Sequence, residues 1–147
     1  MHAIPRPALL LGLAGLIPFL WGALTSVSPG LAQWAGAWLG PRLVGPYVQV
    51  FYGAVILAFM SGVLWGFATK TEGWQGYVLS VLPALWAFFT TGGGAERAAA
   101  ALIVGFVGLL VLDWHFWRKG LAPGWWMHLR VLLTVIVVNA LAVDLVL

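Results

Sequence analysis

The chain has 147 residues, of which 63% are hydrophobic and 7% charged, with a formal net charge of +3 and no cysteine. A water-facing domain carries about 25% charged residues, so this composition excludes a soluble globule and points to the bilayer as solvent. The absence of cysteine excludes disulfides, thiolate metal sites and a cysteine nucleophile. The seven Lys and Arg residues are scattered near the ends of apolar runs, not massed on one face as a nucleic-acid partner requires.

A membrane-spanning helix needs about 20 mostly apolar residues. Stretches 8–27, 44–68, 74–91, 98–117 and 126–147 qualify. The expected fold is all-α: one transmembrane domain over residues 1–147, a bundle of five spans whose neighbours pack antiparallel across short joints. The first stretch follows Arg6 and ends near Gly30-Leu31-Ala32, in the manner of a signal peptide. Its apolar run is long for a signal core, so it reads as a permanent helix with no cleaved leader. Pro18 cannot donate a backbone hydrogen bond and leaves the carbonyl of Ala14 free, which predicts a kink.

The connection from Ser28 to Gly45 carries its own helix signals. Ser28 suits an N-cap and Pro29 the first helical position, while Leu31, Trp34, Trp38 and Leu39 recur at helical spacing until Gly40-Pro41. The expectation is a short interfacial helix on the outer membrane surface, serving as a lid over the helix ends or as a docking element.

In the second span Ala54, Ala58, Gly62 and Gly66 repeat every four residues. Such a stripe permits close backbone approach by a neighbour, and the expected neighbour is another helix of this chain. The third span holds Pro83, which frees the carbonyl of Leu79, and Gly92-Gly93-Gly94 cuts the span short. Its segment from Pro83 to Thr90 matches Pro18 to Thr25 at the proline, leucine, tryptophan and threonine. This is the pattern of a parallel repeat, although the likeness stops before the following helices. Pro18, Trp21, Pro83 and Trp86 are the candidate lining of a pocket at mid-depth.

The fourth and fifth spans carry the ionisable residues. Asp113 lies about a turn inside one boundary and Arg130 about a turn in from the same boundary, joined through Gly120 and Pro123. An Asp113–Arg130 ion pair is expected, as a structural clamp on the hairpin or as a proton or headgroup site. His115 and His128 sit two positions from these residues, about 200° around each helix, and so face elsewhere. No histidine spacing fits a metal or haem, so no metal and no cofactor is assigned. Asn139 near mid-membrane calls for a partner on another helix, and Asp144 near the far end is expected to reach water. Serines 26, 28, 61 and 80 have no histidine on a shared face, and no catalytic residue is assigned.

With five spans the N-terminal face holds Arg6, Lys70, Arg118, Lys119 and Arg130, against Arg42 and Arg97 on the other. Cations are retained inside, which places the N-terminus in the cytoplasm and the C-terminus in the periplasm of a bacterial inner membrane, or on the matrix side in a mitochondrion. Trp65, Trp74, Trp114, Trp117, Trp125 and Trp126 then form an inner aromatic belt, with Trp34 and Trp38 at the outer boundary.

Several of these segments together resemble one family. They are Gly15–Phe19; the run Tyr52–Gly66, which opens Tyr-Gly-Ala and closes Trp-Gly; Ser80–Trp86; Asp113; Pro123–Trp126; and Leu129–Thr134. The pattern is similar to the bacterial domain-of-unknown-function family 3429, whose eukaryotic relatives are called transmembrane protein 69. Trp125-Trp126 departs from the tryptophan-tyrosine expected there. The resemblance implies a small multi-pass protein of bacterial inner or mitochondrial membranes and brings no activity, cofactor or site residue. Two functional readings follow. The first is a non-enzymatic accessory subunit or assembly factor that packs against other integral membrane proteins in a larger complex. The alternative is a binder or carrier of a small apolar ligand such as a lipid, quinone or porphyrin. An intramembrane enzyme is third, since no paired catalytic residues share a face.

Overall fold

The computed structural model describes residues 3–146. Among them are seven α-helices, one short 3-10 turn (Pro41–Leu43) and no strand. The helices are α1 (Arg6–Ala14), α2 (Ile17–Val27), α3 (Pro29–Leu39), α4 (Tyr47–Ala68), α5 (Gln75–Thr90), α6 (Ala95–Arg118) and α7 (Trp126–Val146). Pro7, Pro18 and Pro29 occupy the first or second position of α1, α2 and α3, where a missing N–H leaves nothing unpaired. The chain bends at Gly15-Leu16, between α1 and α2, so the kink expected from Pro18 is a break in the helix. Gly40 ends α3 at φ 86° and Gly94 opens α6 at φ 100°, backbone settings that favour glycine. Ser28 precedes α3 as expected, but its side chain makes no capping hydrogen bond.

Four helical stretches are long and apolar enough to cross a membrane: Arg6–Val27 (α1 with α2), α4, α6 and α7. The stretch expected as a third span forms α5, which has 16 residues. Gly73, at φ 89°, precedes its start and the glycine triplet follows its end.

Named contacts give the direction of each helix. Gly45 on the approach to α4 donates to Thr25 near the end of α2, and Phe19 meets the Tyr52 ring edge-on at 5.2 Å. Thus α2 and α4 run antiparallel. Ser26 pairs with Asp144, and Gly12 lies beside Leu133, so α1 and α2 run parallel to α7. Phe67 packs on Phe116 and Gly53 lies beside Leu102, which sets α4 parallel to α6. Trp65 meets Tyr77 edge-on and Ser61 meets Ser80, so α5 runs antiparallel to α4; helices α2, α5 and α7 therefore run one way and α4 and α6 the other. One end of the bundle gathers Arg6, Lys70, Arg118 and Lys119; the other gathers Arg42, Glu96 and Arg97.

The core is a column of Leu57, Leu64, Leu102, Leu109 and Leu141, all fully buried, capped by Phe19 and Phe116. The outer surface is just as apolar. Leu11, Val55, Phe59, Phe88, Phe89 and Val111 are each more than half exposed. In water so continuous an apolar exterior would aggregate; in hydrocarbon it is the matched surface.

Candidate functional site

Three groups of polar side chains inside the bundle each hold two or more helices together. At the end that carries the α6–α7 turn, Arg130 Nε donates to Asp113 Oδ2 at 2.8 Å. Asp113 is fully buried and Arg130 is 5% exposed. The indole of Trp126 donates to the other carboxylate oxygen, Oδ1, at 3.0 Å. Trp126 thus has a role beyond the aromatic belt in which its sequence position places it. Its ring also meets Phe67 edge-on at 5.2 Å, which ties α4 into the group. On the same end, Lys70 Nζ donates to the carbonyl of Leu121 in the α6–α7 turn at 2.8 Å. His115 is half-buried beside Glu72 and Lys119, and His128 is exposed. Among the described residues no three His, Cys, Asp or Glu side chains converge as metal ligands.

The second group lies at the opposite end. Ser26 Oγ donates to Asp144 Oδ1 at 2.9 Å and also lies 3.3 Å from Gln49 Oε1. Gln49, fully buried, donates through Nε2 to the carbonyl of Ala140. Asp144 is therefore half-buried and tied to α2, where open water was expected. Gly22 and Gly45 make the group possible. A Cβ on Gly22 would lie 2.7 Å from Gln49 Cδ, and one on Gly45 would collide with the Gly22 carbonyl oxygen. Sequence reasoning missed Gln49, although an amide inside an apolar run is the kind of residue that calls for a buried partner.

The third group sits beside Pro83, inside α5. Ser61 of α4 donates its hydroxyl to the Ser80 carbonyl and accepts from the Ala84 N–H at 3.2 Å. Those two backbone groups flank Pro83, so a neighbouring helix serves the backbone where the proline disturbs it.

The four candidate pocket residues do not share one cavity. Pro83 and Trp86 line an apolar groove of about 650 Å³ between α5 and α6, floored by Gly105 and Gly108. Pro18 lines a separate hollow of about 270 Å³ with Arg42 and Phe51. The two tryptophans do play parallel parts. Trp21 donates to the Leu43 carbonyl at 2.8 Å, and Trp86 to the Ala101 carbonyl at 2.7 Å. Thr25 and Thr90 each bond back to the carbonyl of their tryptophan.

The stripe on α4 is also placed differently from expectation. Ala54 is half-buried, but Ala58, Gly62 and Gly66 are exposed, with nothing within 4 Å of where a Cβ on either glycine would stand. Leu57, Met60 and Leu64 fill the core face of α4, and the stripe winds roughly 60–180° away from it. Among the described residues, no helix packs against Gly62 or Gly66 on that face. Asn139 likewise finds no partner on another helix; it donates to the Val135 carbonyl of its own helix at 2.7 Å.

Comparison with known proteins agrees with a membrane protein. Transmembrane protein 69 of Xenopus tropicalis is 35% identical over 149 residues, a match covering 97% of this chain and 54% of that protein. Transmembrane protein 69 of Mus musculus is 30% identical over 151 residues, covering 97% of this chain and 57% of that protein. The chain thus spans about half the length of the curated relatives it matches. No solved structure matches. The family described as "Protein of unknown function (DUF3429)" matches residues 4–146. This chain, a multi-pass membrane protein, belongs to the DUF3429 family.

Proposed function

We propose that this protein is a non-enzymatic accessory subunit or assembly factor of a larger membrane complex, packed against its partner through α4. The observation that carries this reading is the outward face of Ala58, Gly62 and Gly66, exposed and, among the described residues, with nothing packed on its two glycines. In lipid, helices associate by close packing, and small residues let backbones approach. Bulkier residues on that face would cover the backbone equally well against acyl chains, so the small ones favour a partner helix. In this reading the chain has five spans, α3 lies on the outer surface, and α1 begins in the cytoplasm of a bacterial inner membrane.

The test is purification of the full chain in mild detergent, followed by mass spectrometry of what accompanies it. The expected result is a defined set of membrane proteins in fixed ratio, lost in Gly62→Leu and Gly66→Leu variants that still fold. Repeated recovery of the chain alone, or unchanged partners in both variants, overturns the proposal.

A second reading rests on the groove along Pro83 and Trp86, whose volume of about 650 Å³ falls within the range of ligand pockets. A lipid carrier using it would lose co-purifying lipid on Gly108→Leu, whose added side chain meets no protein atom nearby and enters the groove.

A further inference from the structure

Arg130 has a donor that its ion pair does not use. Nε faces Asp113, whereas Nη2 is buried with no hydrogen-bond partner. The hydroxyl of Thr134, one turn further along α7, is buried and unpartnered as well. Arg130 is 5% exposed and Thr134 4%, and both line one chamber of about 270 Å³. Buried Leu16, Phe19 and Phe106 wall the chamber, and exposed Leu11 and Phe59 mark its mouth on the hydrocarbon side. Gly12 of α1 and Gly15, between α1 and α2, add no side chain to its lining. It is separate from the groove beside Trp86 and from the bare face of α4.

Nearly all buried polar groups in folded proteins find a partner, so two donors without one, both on side chains that line one apolar chamber, mark a place for an acceptor. Charge decides which kind. Asp113 already neutralises the guanidinium, so an added anion would leave a net negative charge in a medium of low dielectric. A neutral oxygen brings no such charge. The two donors stand about 6 and 12 Å along α7 from Trp126, below the level of headgroups. The volume suits one substituted ring or the carbonyl end of a chain, whose tail leaves through the mouth between Leu11 and Phe59.

We propose that this chamber binds a neutral apolar molecule through a carbonyl oxygen that accepts from Arg130 Nη2 and Thr134 Oγ1. That chemistry is shared by a quinone ring and by the ester end of an acyl lipid. The site is independent of the accessory role, since it needs no partner protein.

The test uses the full chain in mild detergent with four probes: a short-tailed benzoquinone, dioctanoylglycerol, decane and decanoate. Native mass spectrometry counts retained probe, and thermal unfolding reads the stabilisation. One of the two carbonyl probes is expected to bind and raise the melting temperature, and which one does so identifies the source of the ligand. Thr134→Val should weaken that binding about fivefold, the worth of one hydrogen bond, while leaving the probe-free melting temperature unchanged. Thr134→Ser, which keeps the hydroxyl, should restore it. Stabilisation by decane equal to that of the carbonyl probes overturns the proposal. So does tighter binding of decanoate, unaltered binding in Thr134→Val, or no binding by either carbonyl probe.

Discussion

A carboxylate at Asp113 that receives two donors, facing a guanidinium that spends one, behaves asymmetrically under mutation. Arg130→Met leaves a fully buried Asp113 with only the Trp126 indole, and removing one partner of a buried pair costs about 3–5 kcal/mol. Asp113→Leu combined with Arg130→Met removes both charges and should recover most of that loss. Denaturant titration in micelles measures both. Trp126→Phe keeps the edge contact to Phe67 and deletes only the indole donor. It should cost about 1–3 kcal/mol by the same measurement. The pairing of Asp113 with Arg130 was legible because a tight turn fixes both residues at one depth. The part played by Trp126 was not, since an indole at a membrane boundary is already accounted for by the interface. Ser26 and Asp144 stand 118 positions apart, and no local pattern relates them.

At the scale of the helix, α5 carries a proline in its interior and is served there by the hydroxyl of another helix. Ser61→Ala removes a group that both donates to Ser80 and accepts from Ala84. Hydrogen bonds between membrane helices are worth about 0.6 kcal/mol on average and up to about 1.7. The change should fall at the upper end, because two contacts go together. In a Pro83→Ala background the helix can close its own backbone ladder, so the same substitution should cost less. A coupling of about 0.5 kcal/mol or more in the double-mutant cycle checks this. Glycine positions divide in the same manner. Gly45→Ala drives a methyl into the Gly22 carbonyl and should prevent the α2–α4 contact from closing. Gly62→Ala meets open space and should be neutral or mildly stabilising in the isolated chain, since alanine is the better helix former. Thermal melting of the two variants separates them. Composition and spacing located these helices well, because runs of apolar residues and glycine or proline joints are local signals. They did not say which face of α4 turns inward. A stripe repeated every four residues marks a surface on a helix, and only the positions of the other helices decide what meets it.

For the whole molecule, the absence of cysteine in the sequence makes orientation directly measurable. Single cysteines at Lys70 and Arg118 should label from the side of the N-terminus, and at Arg42 and Arg97 from the opposite side. Labelling of Arg42→Cys and Lys70→Cys from one compartment would refute the proposed threading. The unequal lengths of the helices carry a last consequence. At 16 residues α5 rises about 24 Å, beside neighbours of 22 and 24 residues and a hydrocarbon layer of about 30 Å. If it crosses, the lipid leaflets must pinch in on that flank, with Phe88 and Phe89 meeting edge to face at the dimple's rim. Such mismatch sorts proteins by membrane thickness. The protein should therefore enter vesicles of short-chain lipids in preference to long-chain ones, and lengthening α5 by one turn should erase that preference.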